Sequence, residues 1–261
     1  MRLRNFYPET RRTLTRILKL FLLVLCAALT ASAQAPGGST SVDGKKDPAD
    51  GPVSSEGNPV QQLRDARSWE MGPFVDWATG LSERSDFKFF SLGFQLGKPI
   101  TRVLHAGILS GQFELAGNIM PLWQAYTPAP HEQTFVYQGV TYTEPIGGGT
   151  YTGVSITPVI LRWNFLTRSK HIQPWFQGAG GLVYTTHKFP PDVLVPHGDP
   201  GGTSVWNFSP QGGIGMHWFT GNKRSVDLGV NGVHISSASL GDRNPGVNAS
   251  LQVQVGYTWW K

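Results

Sequence analysis

Two residues near the C-terminal end of the chain have the types and the spacing for acyl transfer. His234 and Ser236 are separated by one residue and end an apolar alternation of Val226, Leu228, Val230 and Gly232. A serine hydroxyl becomes a nucleophile when a neighbouring imidazole accepts its proton. In a strand, residues two positions apart lie on one face, so this pair shares its face with apolar side chains. A nucleophile on an apolar face predicts a lipid substrate.

The first 33 residues have the pattern of an export signal. Six basic residues precede an apolar run over residues 20–29, and the small residues Ala-Ser-Ala follow at 31–33. The run is shorter than the roughly 20 apolar residues that span a bilayer. We therefore expect a signal peptide over residues 1–33, with cleavage after Ala33.

Cysteine usage and charge exclude two classes of function. The only cysteine, Cys26, lies inside the export signal, so we expect neither thiol catalysis nor a disulfide in the mature chain. The formal net charge is +5, and the six cations of the signal outnumber it, which leaves the mature chain close to neutral. Nucleic-acid binding is not expected from such a balance.

Composition divides the remainder of the chain near residue 68. Residues 34–68 are rich in Gly, Pro, Ser and Asp and have almost no aromatics, which predicts a disordered N-terminal tail. From Trp69 to Lys261, aromatics become frequent and Gly recurs inside apolar stretches. We interpret residues 69–261 as one domain.

Eight extended stretches separated by turn signals occupy this domain. The last one shows the pattern most clearly, since Leu251, Val253 and Val255 alternate with Gln252 and Gln254. The eight stretches are Trp69–Trp77, Phe87–Leu96, Gln112–Tyr126, Tyr151–Phe165, Gln173–Thr185, Val205–Phe219, Ser225–Ser236 and Ala249–Trp260.

This alternation fits both a membrane barrel and a secreted sandwich, and the connections decide between them. Those after the fourth and sixth stretches are short and basic, whereas those after the third, fifth and seventh are longer and rich in Pro, Gly or Asn. Short turns at one end and long loops at the other are typical of outer-membrane barrels. Aromatic pairs near strand ends support this reading: Trp123 and Tyr126, Trp163 and Phe165, Trp218 and Phe219. The sequence therefore predicts an all-β, eight-stranded antiparallel transmembrane β-barrel.

The orientation follows if the N-terminus lies in the periplasm. The seventh stretch then runs outward and brings His234 and Ser236 to its extracellular end, facing lipid. We therefore expect a bacterial outer-membrane protein with its active site toward the outer leaflet, where lipopolysaccharide resides. Side chains fill a barrel of eight strands, so no general pore is expected.

The segment from Gly232 to Asn248 resembles the active-site strand and loop of the lipid A 3-O-deacylases, also called acyloxyacyl hydrolases. In that family, a His-x-Ser pair on an eight-stranded outer-membrane barrel removes the ester-linked acyl chain at position 3 of lipid A. The family has an Asn ten residues after its His and a Gly two residues further, and Asn244 and Gly246 hold those places here. The resemblance implies that Ser236 is the nucleophile and His234 the general base. It also implies that Asn244 lies near the oxyanion, with Gly246 in the same loop.

The third catalytic residue is where the chain departs from the family. The family has a Glu fourteen residues after its His, and Asn248 stands there in this chain. Asn248 could orient the imidazole by accepting a hydrogen bond, but it carries no charge. Asn in place of a triad Asp lowers the turnover of a serine protease by about ten-thousandfold. Strict alternation also points position 248 inward. Asp242, in the same loop, is the alternative acidic residue.

Two functions from different classes remain open. The first is a serine esterase that acts on lipid A of lipopolysaccharide, with no cofactor and no metal, as a single barrel or as a homodimer. The second is a catalytically impaired or non-enzymatic barrel with a structural or surface-interaction role.

A metal site is not expected. One loop holds His187, Asp192, His197 and Asp199, but its prolines leave no recognisable metal-ligand spacing.

Overall fold

The computed structural model of the protein describes residues 58–129, 131–137, 139–146, 148–190, 204–238, 240–241 and 248–261. Most of these residues lie in β-strands, as the alternation predicts. No helix within these ranges is long and apolar enough to cross a membrane. The predicted signal peptide and most of the predicted tail lie outside the described residues.

Among the described residues, eleven strands follow one α-helix. Helix α1 spans Pro59–Ala66. The strands are β1 Glu70–Gly80, β2 Lys88–Pro99, β3 Gly111–Tyr126, β4 His131–Tyr137, β5 Val140–Ile146, β6 Thr150–Phe165, β7 Ile172–Phe189, β8 Ser204–Phe208, β9 Gln211–Gly221, β10 Arg224–Ile235 and β11 Asn248–Trp260. Two 3-10 turns, Ser82–Arg84 and Gly107–Leu109, lie in the connections after β1 and β2.

Eight of these strands close into an antiparallel barrel. Neighbouring strands pair in the order β6-β3-β2-β1-β11-β10-β9-β7, and β6 also pairs with β7. Closure leaves the barrel wall without a free sheet edge, and a lipid environment requires this because unpaired backbone groups cannot bond to water there. The prediction of an eight-stranded antiparallel transmembrane barrel is confirmed.

The two ends of the barrel differ. The end that we call the loop end carries the connections from β1 to β2, from β3 to β6, from β7 to β9 and from β10 to β11. The strand β8 and the two-stranded hairpin of β4 and β5 lie in two of these connections. The opposite end, which we call the helix end, carries α1 and the connections over residues 100–110, 166–171 and 222–223.

Side chains alternate between lipid and interior along the barrel strands. In β11, Leu251, Val253 and Val255 are exposed on the outer face, whereas Ser250 and Gln252 line the interior. Exposed apolar side chains recur on the other barrel strands, and buried polar ones face inward. An apolar outer belt around a polar interior is the arrangement of a barrel that a bilayer surrounds.

Aromatic side chains border this belt at both ends. Toward the loop end, the rings of Tyr184 and Trp206 lie 4.9 Å apart, and Trp77 stacks on Tyr126 at 6.5 Å. Toward the helix end, the rings of Tyr257 and Trp259 lie 5.3 Å apart. Aromatic girdles at both interfaces are typical of membrane barrels.

Two of the aromatics that the sequence places at strand ends lie inside the barrel instead. Trp123 packs against Phe189, with ring centroids 5.5 Å apart, in a buried aromatic cluster at the loop end. Phe219 packs against Trp260 at 5.4 Å near the helix end. Both residues have the inward parity of their strands, so they fill the barrel rather than anchor it at the interface.

A buried charged network fills the barrel toward the helix end. Arg162 Nη1 donates to Glu70 Oε1 at 2.9 Å and to Glu114 Oε1 at 3.1 Å. The Arg162 Nε and Nη2 groups both donate to Gln177 Oε1, at 3.1 Å. A buried ion is costly unless it is paired and hydrogen-bonded, and here one cation is held between two carboxylates.

His217 extends this network on β9. Its Nδ1 lies 2.7 Å from Asp227 Oδ1. The hydroxyls of Ser225 and Thr258 also donate to Asp227. Polar side chains in the narrow lumen therefore provide one another with hydrogen-bond partners.

The prediction of a disordered tail is wrong for the residues that form helix α1. The sequence predicts disorder over residues 34–68, but the Asn58 side chain accepts a hydrogen bond from the Gln61 amide and caps a helix over Pro59–Ala66. Val60 and Leu63 pack with Phe219 and Trp260 of the barrel. A short polar segment folds here because two apolar residues reach this cluster.

We predict that Arg162→Met destabilises the barrel by about 3–5 kcal/mol, because it leaves Glu70 and Glu114 buried without their cation. Urea unfolding in detergent micelles, followed by heat-modifiable gel migration, measures the change. Arg168→Met, at an exposed turn position, is the matched control and should change the stability by less than about 0.5 kcal/mol. Equal stabilities for the two variants would contradict the structural role of the network.

Candidate active site

His234 lies on the outer face of the barrel because of the alternation of β10. Ser225, Asn231 and Ile235 are buried, whereas Val230 is exposed on the outer wall. His234 has the parity of Val230 and is half-buried. Since β10 ends at Ile235, the imidazole lies on the outer wall close to the loop end.

Ser236 follows the last residue of β10 and continues its extended course. The Ser236 amide donates to the Phe208 carbonyl at 3.0 Å, and the Ser236 carbonyl accepts from the Phe208 amide at 2.7 Å. This two-bond bridge to β8 fixes the backbone of Ser236. Two residues of an extended chain span about 6.6 Å, which is within reach of an imidazole and a hydroxyl on the same face.

A tight turn begins at Ser236 and contacts its hydroxyl. The Ala238 amide donates to Ser236 Oγ at 3.1 Å. Ala238 has the left-handed φ of 51°, and the Leu240 amide donates to the Ser237 carbonyl at 2.9 Å. A backbone amide aimed at an oxygen stabilises negative charge on it. The Ala238 amide would therefore stabilise negative charge on the Ser236 Oγ.

The His234 ring has no hydrogen-bond partner within the described part of the chain. Its in-register neighbour on β11 is Ala249, and on the other side the Pro210 carbonyl accepts the His234 amide at 2.9 Å. Neither Ala249 nor Pro210 has a side chain that could orient an imidazole. These two contacts therefore supply no group that orients the ring.

Asn248 occupies a register position on the inner side of the wall. It pairs with Ile235, which lies in the buried core at the loop end. The pairing of β11 with β10 runs from Asn248 to Trp259 without a register shift. Residues directly opposite on two strands share a face. This pairing therefore contains no bulge that would turn position 248 outward.

The other predicted site residues lie outside the described residues. These are Asp242, Asn244 and Gly246, together with the side chain of Asn248. The structure thus places His234 and Ser236 and leaves the loop residues as predictions.

Beside His234, the outer wall has a row of residues without side chains. Gly232 of β10, Gly212 of β9 and Gly178 of β7 pair in register. A Cβ atom at Gly232 or Gly212 would meet no heavy atom closer than 3.8 or 3.6 Å, respectively. Packing therefore does not demand glycine at these two positions. The row leaves a shallow groove in the wall between His234 and the exposed Ile214. The sequence alone did not reveal it, because strand register sets the row.

A group of acidic and histidine side chains with metal-ligand spacing lies elsewhere, inside the barrel. Among the described residues, ligand atoms of Glu70, Glu114 and His217 lie within 4.8 Å of one another. Arg162 donates to both carboxylates, so a guanidinium already supplies the positive charge. We interpret the group as structural. Of the loop residues considered for a metal, His187 is described, and its Nδ1 contacts the Thr186 hydroxyl at 3.1 Å.

A family model described as lipid A 3-O-deacylase (PagL) matches residues 111–258 of the chain. The matched range includes His234 and Ser236. No curated protein sequence matches the chain.

Solved structures with a distant likeness include outer-membrane proteins. The outer membrane enzyme PagL is 17% identical over 71% of this chain and 98% of that chain, with a TM-score of 0.39. Neisserial surface protein A (NspA) is 14% identical over 73% and 96% of the two chains, with a TM-score of 0.43. OprG of Pseudomonas aeruginosa is 9% identical over 74% and 95%, with a TM-score of 0.37. Likenesses this distant carry no conclusion about function.

Proposed function

The chain belongs to the lipid A 3-O-deacylase (PagL) family, and we propose that it is an outer-membrane serine esterase that releases the 3-O acyl chain of lipid A. The observation that carries the proposal is the position of His234 and Ser236. A base and a hydroxyl lie two residues apart at the loop end of a wall whose exposed side chains are mostly apolar. Placing polar side chains against lipid costs free energy. A reaction with a lipid explains why this pair is present on the wall.

The proposed orientation places the helix end in the periplasm and the loop end at the cell surface. Short turns of outer-membrane barrels lie in the periplasm and long loops lie outside, and this barrel has both kinds of connection at opposite ends. His234 and Ser236 then lie level with the outer leaflet, where lipopolysaccharide resides. Substrate would reach the site by lateral diffusion in that leaflet.

The proposed reaction needs only groups of the protein and water. The Ser236 Oγ attacks the ester carbonyl carbon while His234 accepts the hydroxyl proton. The tetrahedral intermediate collapses when the bond to the sugar oxygen breaks, and His234 returns the proton to that oxygen. Water then attacks the acyl-serine with His234 again as the base, which releases the fatty acid and restores Ser236. Asn244 and the backbone amides after Ser236 are the proposed oxyanion donors.

The group that orients His234 is proposed to come from the connection after β10. Position 248 pairs with the inward-facing Ile235, and this register argues against Asn248 as the outward partner. Asp242 lies in the same connection and carries the negative charge that stabilises an imidazolium. The register therefore favours Asp242 over Asn248 as the residue that orients the His234 imidazole.

A second candidate function keeps the barrel but not the chemistry. The ring of His234 has no hydrogen-bond partner among the described residues, and Asn248 replaces the family's Glu. A barrel that had lost its acidic residue would serve a structural or surface role and would leave lipid A unchanged. The experiments that follow separate the two candidates.

We predict that expression of the protein in a Gram-negative host removes one 3-O-linked acyl group from extracted lipid A, as measured by mass spectrometry. Ser236→Ala should lower the rate by at least about a thousandfold, because it removes the hydroxyl that is proposed to form the acyl-enzyme. Ser237→Ala is the matched control, and it should leave the mass shift in place. A lipid A profile that does not change with the wild-type protein would support the non-enzymatic candidate.

We predict that Asp242→Asn lowers kcat by about a hundredfold or more, because the imidazolium loses a compensating charge. Asn248→Ala should have a much smaller effect, since its register position is on the inner side of the wall. Initial rates of acyl release in detergent micelles measure both. A larger loss with Asn248→Ala than with Asp242→Asn would show that Asn248 orients the base.

We predict that Gly212→Val lowers kcat/KM for lipid A by about tenfold, because an isopropyl group fills the groove where the acyl chain is proposed to lie. The barrel should remain as stable as the wild type, since a Cβ there meets nothing closer than 3.6 Å and Val suits a strand. Ile214→Val is the control on the same face and should keep its activity. Unchanged kinetics for Gly212→Val would exclude the groove as the acyl path.

A further inference from the structure

A cleft unrelated to the catalytic pair opens at the helix end. It lies between α1 and the connection from β2 to β3, with a volume of about 640 Å³. Arg64 and Arg67 line it from the helix, and Arg102 and His105 line it from the connection. The cleft is the meeting point of two segments that are distant in sequence, so the sequence gives no sign of it.

The charges around this cleft have a strong positive bias. Three guanidinium groups, those of Arg64, Arg67 and Arg102, face one carboxylate, that of Asp65. Guanidinium groups suit phosphate, because their planar donors match its oxygens in pairs. The balance predicts an anionic ligand.

Arg64 provides the second and independent sign of a ligand. The residue is only 8% exposed, yet its Nη1 group has no hydrogen-bond partner among the described residues. Its Nε group has Asp65 as an ion-pair partner at the long distance of 3.6 Å. Gln112 Nε2 donates to the Arg64 carbonyl at 3.2 Å, which fixes the backbone of this residue against the barrel. A buried donor without an acceptor is costly, and an anion in the cleft would supply the acceptor.

Apolar side chains beside the cleft indicate which kind of anion it takes. Leu166 lines the cleft itself. In the connection that carries Arg102, Leu104 and Leu109 are exposed, and Ile108 is 96% exposed. Exposed apolar residues next to a cationic cleft at the rim of a membrane barrel suit a ligand with a charged head and acyl chains. Free phosphate would leave these apolar groups without a partner.

We propose that this cleft binds the phosphate group of an anionic phospholipid in the leaflet at the helix end. The phosphate accepts hydrogen bonds from Arg64, Arg67 and Arg102, and the acyl chains run along the wall past Leu166. In the orientation proposed above, this is the periplasmic leaflet. The proposal does not depend on the esterase activity, so either can fail without the other.

Native mass spectrometry of the detergent-solubilised full-length protein tests the proposal. The probes are phosphatidylglycerol, phosphatidylcholine and inorganic phosphate, each titrated separately. We expect bound phosphatidylglycerol in excess of phosphatidylcholine, and the variant Arg67→Gln/Arg102→Gln should weaken the phosphatidylglycerol Kd by about tenfold or more. Both replaced side chains are exposed, so the variant should fold even where Arg64→Gln does not.

The matched control is Arg168→Gln/Lys170→Gln, which removes two exposed cations at the same end but outside the cleft. It should bind phosphatidylglycerol as the wild type does, and all three proteins should release acyl groups at one rate. Equal binding of the two phospholipids, or an unchanged Kd in Arg67→Gln/Arg102→Gln, would overturn the proposal. Displacement of phosphatidylglycerol by millimolar inorganic phosphate would show a site for free anions rather than for a lipid.

Discussion

A closed wall of eight strands gives each side chain one of two environments, lipid or a narrow lumen. Backbone groups in such a wall are satisfied by their neighbours, so side-chain parity alone sets the polarity of each face. In β11 the outward residues are Leu251, Val253 and Val255, and the inward ones include Ser250 and Gln252. The half-buried His234 has the outward parity of β10 but a polar ring, and the buried Ser236 follows two residues later. This departure from the rule is the basis for proposing chemistry at the outer wall.

The lumen has its own requirement, because polar residues confined there must satisfy one another. Arg162 joins strands that are far apart in sequence by bonding to Glu70 and Glu114. Aromatic clusters close the interior on either side, around Phe189 at the loop end and around Phe219 and Trp260 at the helix end. The interior therefore stabilises the barrel, and the ligands proposed for this chain lie on the wall and at the rim.

The sequence predicts what depends on local pattern and misses what depends on closure. Two-residue alternation predicts the eight barrel strands and the outward parity of His234, but it joins β8 and β9 into one stretch, Val205–Phe219. It could not give the partners of Arg162, since Glu70 is 92 residues away, nor the row formed by Gly178, Gly212 and Gly232, which exists only once strands are in register. Disorder was predicted for the segment that becomes α1 because its composition is polar, whereas two apolar contacts with the barrel suffice to fold it. Strict alternation also predicts the inward register of position 248, which pairs with the inward-facing Ile235.

The central claim is that Ser236, activated by His234, is a nucleophile that faces the lipid phase. A long-chain fluorophosphonate that partitions into bilayers reacts covalently with such a serine, and peptide mass spectrometry of the protein in liposomes locates the adduct. The account predicts one adduct, on Ser236, which forms slowly or not at all in His234→Gln. Absence of an adduct on Ser236, or an equal labelling rate without the imidazole, would contradict it.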